Sequence, residues 1–172
     1  MSASVRVVHH ARLVSGAHAV DDGWLLIEND VIRARGEGAG WTEHLAADTA
    51  YTEIDAGGCV VSPGLVDIHT HGAAGWSFEV ALAAAAQGDD APLAELLAAH
   101  RSRGTTRLVA SLVSAPVAAL VASLRVVAEQ RGGMLRGAHL EGPFLAANAR
   151  GAHDPDALTA PDAPAVGELM DA

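Results

Sequence analysis

The sequence predicts an α/β fold in which a β-rich segment is followed by alternating strands and helices. From Cys59 onward, apolar runs of strand length alternate with stretches of helical periodicity, and this gives three strand–helix units. Residues 1–58 contain only short apolar runs separated by polar or glycine-containing pieces. Consecutive strand–helix units joined by right-handed crossovers build a parallel sheet or a barrel. We therefore expect a boundary between two domains near residue 58.

The first segment is expected to form short strands. Asn29 and Asp30 stand between two apolar runs and tolerate positive φ, which favours a hairpin turn there. Residues 36–50 are small and polar, as in a loop. The strands are expected at residues 5–8, 24–27, 31–32 and 51–55.

The second segment begins with residues 59–68, a nearly continuous apolar run that is typical of a strand buried on both faces. Apolar residues with helical spacing follow and end near Gly104, and a second helix starts after Ser114 and Pro116. Its predicted buried stripe is Leu120, Val121, Leu124 and Val127. Further strands are expected at residues 105–113 and 134–139, a long loop at 142–160, and a last helix at 163–172.

Three units are too few to close a barrel. A closed barrel of this type needs eight units and about 250 residues, and three leave an open edge of unpaired backbone groups. We therefore expect the natural chain to continue past Ala172. The alternative is a small open α/β domain that needs a partner.

Composition excludes several function classes. The 172 residues carry a net charge of −10 and no basic run, which argues against binding to nucleic acid or to an anionic membrane. All eleven cations are arginines, so no carboxylated lysine can bridge two metal ions. The first residues lack the apolar core of a secretion signal, and we expect a cytoplasmic protein. The single cysteine, Cys59, is expected to be a buried, inert thiol.

Histidines and a glutamate with metal-ligand spacing follow two of the predicted strands. His69 and His71 are two residues apart, so a strand would project both imidazoles from one face. Glu141 follows the strand 134–139, and two histidines with one glutamate suit zinc or iron. A histidine pair on a strand can equally be hydrogen-bonded within a core. Glu141 precedes Gly-Pro at a buried strand end, where a carboxylate needs a cation or several donors.

Three segments resemble the N-acetylglucosamine-6-phosphate deacetylase family of the amidohydrolase superfamily: PGLVDIHTHG, GTTRLVASLVSAP and GAHLEGPFLAANARGAHDPDAL. HLEGPF followed at this spacing by Gly-Ala-His is the most specific part. The segments GWLLIENDVIRARGEG and DAGGCVVSPGLVD resemble the small β-sandwich of that family and its crossover into the barrel. The resemblance implies part of a β-sandwich at residues 1–58. It implies the first three units of a (β/α)8 TIM-type barrel at residues 59–172.

The resemblance also implies an activity, which is the metal-dependent removal of acetate from N-acetylglucosamine 6-phosphate in amino-sugar catabolism. Glu141 would be a metal ligand, and His69 and His71 match a pair that holds a second metal in binuclear members. His153 matches a residue that contacts the sugar. One or two ions, zinc or iron, would bind per subunit, and members are commonly homodimers.

The family's catalytic aspartate and two further metal-binding histidines lie on later barrel strands. We therefore expect the catalytic aspartate beyond Ala172, no catalytic residue within this chain, and no activity from the 172 residues alone. Two alternatives stay open. One is another amidohydrolase, acting on a cyclic amide or an adenine-like base. The other is a non-catalytic remnant that binds only metal or other chains.

Overall fold

The computed structural model describes residues 4–130 and 133–172. It is a mixed α/β structure that divides into two compact units, residues 1–63 and residues 64–172. The predicted boundary lies a few residues before this division, at 58. The two units are described separately below.

From residue 4 onward, where the structure is described, the first unit is built on a five-stranded sheet. Its strands are β1 (Val5–Ser15), β2 (His18–Glu28), β3 (Val31–Glu37), β4 (Tyr51–Asp55) and β5 (Val60–Val61). The order is β3-β2-β1-β4, and β5 also pairs with β1. Strands β1 to β3 are antiparallel, whereas β4 and β5 run parallel to β1. The β2–β3 turn has Asn29 at φ +55°, which confirms the predicted hairpin.

A small apolar core holds the first unit together. Val7, Trp24 and Leu26 are buried at its centre, and Trp41 packs against them. Trp41 belongs to a short 3-10 helix, Gly40–His44, within the segment predicted as a loop. Trp24 and Trp41 therefore supply much of the apolar area of this small core.

Among its described residues, the second unit contains three parallel strands and four α-helices. The parallel strands are β6 (Leu65–Thr70), β9 (Thr105–Leu112) and β10 (Leu135–Leu140), in the order β10-β9-β6. A two-residue ladder, β7 (Gly72–Ala73) with β8 (Trp76–Ser77), follows β6. The helices are α1 (Phe78–Ala85), α2 (Ala91–Arg101), α3 (Val117–Glu129) and α4 (Ala163–Met170).

The core of the second unit lies between its helices and the central strand. Leu108 and Leu112 of β9, Phe78 of α1 and Leu96 of α2 are almost fully buried there. Each such side chain contributes roughly 1.5 to 3 kcal/mol through burial. In α3, Leu120 and Val127 are buried as predicted. Ser123 and Val126 are also buried, whereas Val121 and Leu124 are only half-buried.

The predicted strand at residues 59–68 is wrong in two respects. The segment is interrupted at Ser62, Pro63 and Gly64, and its two parts form β5 and β6 in different sheets. Strand β6 lies at an edge, so Ile68 is 73% exposed rather than buried. An apolar run predicts a strand, but it does not say whether a neighbour covers it.

Two further expectations differ from the structure. Cys59 is exposed, so the expectation of a buried thiol is wrong. Helix α1 was not predicted; its N-terminus is capped by Ser77, which accepts from the Val80 amide. Among the described residues, none of the helices is long and apolar enough to cross a membrane.

Candidate metal centre

The ends of the three parallel strands meet at one edge of the sheet. His69 lies in β6 and His71 directly after it, Ser114 follows β9, and Glu141 follows β10. Because the strands are parallel, their carboxyl ends point to the same edge, which is where α/β folds place their binding residues. The Glu141 amide donates to the carbonyl of Leu112 over 3.0 Å, which continues the ladder to this residue.

Glu141 is the point on which the histidines converge. Its Oε1 lies 2.8 Å from Nε2 of His69 and 3.3 Å from Nε2 of His71. The Glu141 side chain is 21% exposed, whereas the His69 and His71 side chains are about half exposed, at 53% and 45%. The carboxylate therefore lies at the base of a cluster that remains open on the histidine side.

The three side chains have the donor set of a divalent transition metal. Their ligand atoms all lie within 4.8 Å of one another. Zinc binds imidazole nitrogen and carboxylate oxygen at about 2.0 to 2.2 Å, which places neighbouring tetrahedral ligands about 3.3 to 3.5 Å apart. The His71–Glu141 separation of 3.3 Å matches that value, whereas the His69–Glu141 separation of 2.8 Å is a hydrogen-bond distance that must lengthen for both side chains to bind one ion.

His153 approaches the other oxygen of the same carboxylate. Its Nε2 lies 3.6 Å from Oε2 of Glu141. Its Nδ1 accepts a hydrogen bond from the Ser114 amide over 3.1 Å, and the Ser114 hydroxyl lies 2.9 Å away. Because a backbone amide can only donate, the neutral ring carries its proton on Nε2. His153 therefore directs an N–H group into the cluster.

The loop after β10 holds His153 in this orientation. Arg150 donates from its guanidinium to the carbonyl of His153 over 2.6 Å. A Cβ atom on Gly142 would lie 2.0 Å from Oγ of Ser114, so only glycine lets the loop pass this close to the hydroxyl. The His153 side chain is 15% exposed, which fits a ring held between the loop and the end of β9.

Two polar residues surround the cluster without joining it. His139 is exposed, with its ring centroid 5.4 Å from that of His69 and its Nδ1 3.4 Å from Oγ of Ser111. Asp67 accepts from the amide of His69 over 3.2 Å. Both contacts orient His69 or its backbone rather than adding a fourth ligand atom.

The sequence-based candidates His69, His71, Glu141 and His153 therefore lie together in one unit. Ser114 and Arg150 were not singled out as part of the site. The only sequence signal for Ser114 was its place at a predicted strand end, where it was interpreted as a helix start. Its contact with His153 depends on the path of the loop at residues 142–160, which local patterns do not predict.

Comparison with known proteins gives deacetylases among the relatives that match most of this chain. An N-acetylgalactosamine-6-phosphate deacetylase from Escherichia coli O157:H7 is 32% identical over 157 residues, or 87% of this chain and 36% of the relative. An N-acetylglucosamine-6-phosphate deacetylase from Bos taurus is 31% identical over 122 residues, or 67% of this chain and 28% of the relative. No family model matches the chain.

A solved structure of the same type of enzyme also matches this chain. An N-acetyl-D-glucosamine-6-phosphate deacetylase variant from Mycobacterium smegmatis, in complex with N-acetyl-D-glucosamine-6-phosphate, matches 99% of this chain with a TM-score of 0.74 and 32% identity. The chain belongs to the amidohydrolase superfamily. The matched enzymes are deacetylases, and the superfamily consists of metal-dependent hydrolases.

The chain spans about a third of the length of the curated relatives that it matches, 36% and 28% of the two named above. It covers 41% of the Mycobacterium smegmatis structure. The similarity therefore concerns one part of those enzymes.

Proposed function

We propose that this chain supplies part of the metal centre of a deacetylase that converts N-acetylglucosamine 6-phosphate into glucosamine 6-phosphate and acetate. The observation that carries the proposal is the convergence of His69 and His71 on Oε1 of Glu141, with His153 at Oε2. The deacetylase relatives support the substrate class, since two enzymes of this kind align with two thirds or more of the chain.

Each site residue has a proposed role that follows from its contacts. His69, His71 and Glu141 hold a divalent ion, zinc or iron, through two imidazole nitrogens and a carboxylate. Such an ion supplies Lewis-acid polarisation of an amide carbonyl and makes water more acidic. His153 donates from Nε2 to an oxygen of the bound sugar, because its Nδ1 is already engaged by Ser114. Ser114 and Arg150 position His153.

The finer architecture is part of the same proposal. We assign the unit formed by residues 64–172 to the first three units of a (β/α)8 barrel and the unit formed by residues 1–63 to part of a β-sandwich, in a cytoplasmic homodimer. The boundary moves from the expected position at 58, because β5 pairs with β1. The parallel order β10-β9-β6 supports the barrel, because consecutive barrel strands are neighbours in the sheet. The general base is assigned to a segment other than these 172 residues, and the 172 residues alone are proposed to be inactive.

A second candidate function is a related amidohydrolase that acts on a cyclic amide. An imidazolonepropionase from Alkaliphilus metalliredigens is 41% identical over 81 residues, and a dihydroorotase from Pelobacter propionicus is 35% identical over 66 residues. These matches cover 47% and 38% of the chain, against 87% for the galactosamine-type deacetylase. The wider match favours the deacetylase.

The test is acetate release. The protein expressed from its own gene is first weighed by intact mass spectrometry and then incubated with N-acetylglucosamine 6-phosphate, with and without a chelator. The 172-residue chain is assayed beside it. Chelator-sensitive acetate release by the gene product but not by the 172-residue chain is the expected result. Release by the 172-residue chain would contradict the proposed inactivity, and a cyclic amide hydrolysed in place of the sugar would favour the second candidate.

A further inference from the structure

The first unit contains a second group of metal-ligand side chains. His9, His10 and Asp55 offer ligand atoms that all lie within 4.8 Å of one another. Nδ1 of His9 lies 3.2 Å from Nδ1 of His10, which lies 3.1 Å from Oδ1 of Asp55. All three residues belong to the unit formed by residues 1–63 and are independent of the cluster around Glu141.

A β-bulge brings the two adjacent histidines together. Neighbouring residues of a regular strand project from opposite faces. The β1–β2 register shifts between Val8 and Ala11, and His10 takes φ +50°, a value uncommon for a residue other than glycine. The bulge turns the His10 ring towards that of His9, with ring centroids 4.4 Å apart. Bulges that redirect a side chain in this way are often found at binding sites.

The turn after β4 brings the carboxylate to the same place. Asp55 is the parallel partner of His9 at the last pair of the β1–β4 ladder. The amide of Gly58 donates to the carbonyl of His10 over 2.7 Å, and the amide of Gly57 donates to Oδ1 of Asp55 over 2.8 Å. These bonds fix the turn against the bulge. Backbone hydrogen bonds therefore help to position the three residues, in addition to the contacts between their side chains.

Nδ1 of His10 faces two neighbours at hydrogen-bond distance, Nδ1 of His9 at 3.2 Å and Oδ1 of Asp55 at 3.1 Å. A ring nitrogen carries at most one proton, so a single proton makes only one of these two contacts a linear hydrogen bond. A shared cation uses all three lone pairs at once. The separations of 3.1 and 3.2 Å approach the roughly 3.3 Å expected between tetrahedral ligands of zinc.

The charge and surroundings of the cluster also fit a cation. Asp55 brings a carboxylate to the two imidazoles, with its Oδ1 3.1 Å from Nδ1 of His10. His9 is 9% exposed and stacks on Trp41 with ring centroids 5.9 Å apart. Among residues 4–130 and 133–172, its Nε2 has no hydrogen-bond partner, and its ion-pair contact is Oε2 of Glu53 at 3.7 Å. A ligating histidine commonly directs its second ring nitrogen at a carboxylate in this way.

We propose that His9, His10 and Asp55 form a structural site for a divalent transition metal such as Zn²⁺, which ties the bulge of β1 to the turn after β4. Two imidazoles and one carboxylate select this class of ion over calcium or magnesium, which prefer oxygen ligands. His10 and Asp55 are 59% and 61% exposed, so an ion enters directly from solvent.

The test measures Zn²⁺ binding in a chain that lacks the other cluster. His69→Ala and His71→Ala together remove two ligands from the Glu141 site, so failure of the proposed function does not affect the result. This parent is expected to bind one Zn²⁺ by isothermal titration calorimetry and to unfold at a higher temperature with zinc than without. A parent that binds no Zn²⁺ would overturn the proposal.

Two further variants locate the ion. Adding His10→Asn, which tolerates the positive φ, or Asp55→Asn, which keeps an oxygen for the Gly57 amide, should weaken Zn²⁺ binding by at least about tenfold. Adding His18→Ala, which removes an exposed histidine from the same unit, should leave binding unchanged. If the His10→Asn variant does not fold, the Asp55→Asn variant provides the test. A folded Asp55→Asn variant that binds Zn²⁺ with the same affinity as the parent would overturn the proposal.

Discussion

The amide of Ser114 donates to Nδ1 of His153 over 3.1 Å, and this bond determines which nitrogen of the ring faces Glu141. Ser114 follows β9, whereas His153 lies in the loop after β10. The contact therefore joins two strand ends and directs an N–H group of His153 towards the carboxylate. The chemistry that His153 can perform depends on a backbone group 39 residues away.

The first prediction concerns the tautomer of His153. Neutral His153 should carry its proton on Nε2, because Nδ1 accepts from the Ser114 amide. Long-range ¹H–¹⁵N NMR of the labelled chain with this histidine in its neutral form distinguishes the two tautomers. Ser114→Ala should leave the tautomer unchanged, since the amide remains. A proton on Nδ1 would show that the Ser114 amide does not make this bond.

A second prediction tests the close approach of Gly142 to Ser114. In Gly142→Ala the new Cβ would lie 2.0 Å from Oγ and 3.0 Å from Cβ of Ser114, so the Ser114 side chain must rotate or the loop must shift. We expect a loss of about 1 to 3 kcal/mol in the free energy of unfolding, measured by urea denaturation. Gly137→Ala in β10 is the matched control, because its Cβ would meet no atom within 4 Å. Equal stability of the two variants would contradict the packing described for Gly142.

A third prediction contrasts two strands of the same sheet. Leu108 of β9 is fully buried, and Leu108→Ala should cost about 2 to 5 kcal/mol through lost burial and a residual cavity. Ile68 of β6 is 73% exposed, so Ile68→Ala should change stability by only about 0.5 kcal/mol. Urea denaturation of both variants checks this. A large loss for Ile68→Ala would mean that β6 is covered in solution.

A fourth prediction follows from the exposure of Cys59. This cysteine is the only one in the sequence and is a free, exposed thiol. It should react with Ellman's reagent under native conditions to about one equivalent, at a rate similar to that in denaturant. The Cys59→Ser variant supplies the blank. A thiol that reacts only after denaturation would restore the sequence-based expectation of a buried residue.

The features that the sequence predicted correctly are those that depend on the spacing of nearby residues. The two-residue spacing of His69 and His71 and the place of Glu141 after a strand predicted three side chains that lie within 4.8 Å of one another. The β10-β9-β6 order follows from the alternation of strands and helices. The cluster and the strand order both follow from regular secondary structure, and the spacing of apolar and polar residues in one sequence is enough to predict such structure.

Features that depend on tertiary packing were not predicted. Ile68 is exposed because β6 lies at the edge of its sheet. An apolar run in the sequence does not distinguish an edge strand from a central one. The His9–His10–Asp55 cluster requires a bulge, which places adjacent residues on one side against the normal alternation. The Ser114–His153 contact requires a loop path that no periodicity describes.

The central claim is that His69, His71 and Glu141 bind one divalent ion, and anomalous X-ray diffraction from crystals of the zinc-saturated chain tests it most directly. A peak at the zinc edge is expected about 2.0 to 2.2 Å from Nε2 of His69, Nε2 of His71 and a carboxylate oxygen of Glu141. The same peak should be absent in Glu141→Ala crystals. Zinc-saturated crystals without a peak at these three side chains would contradict the account.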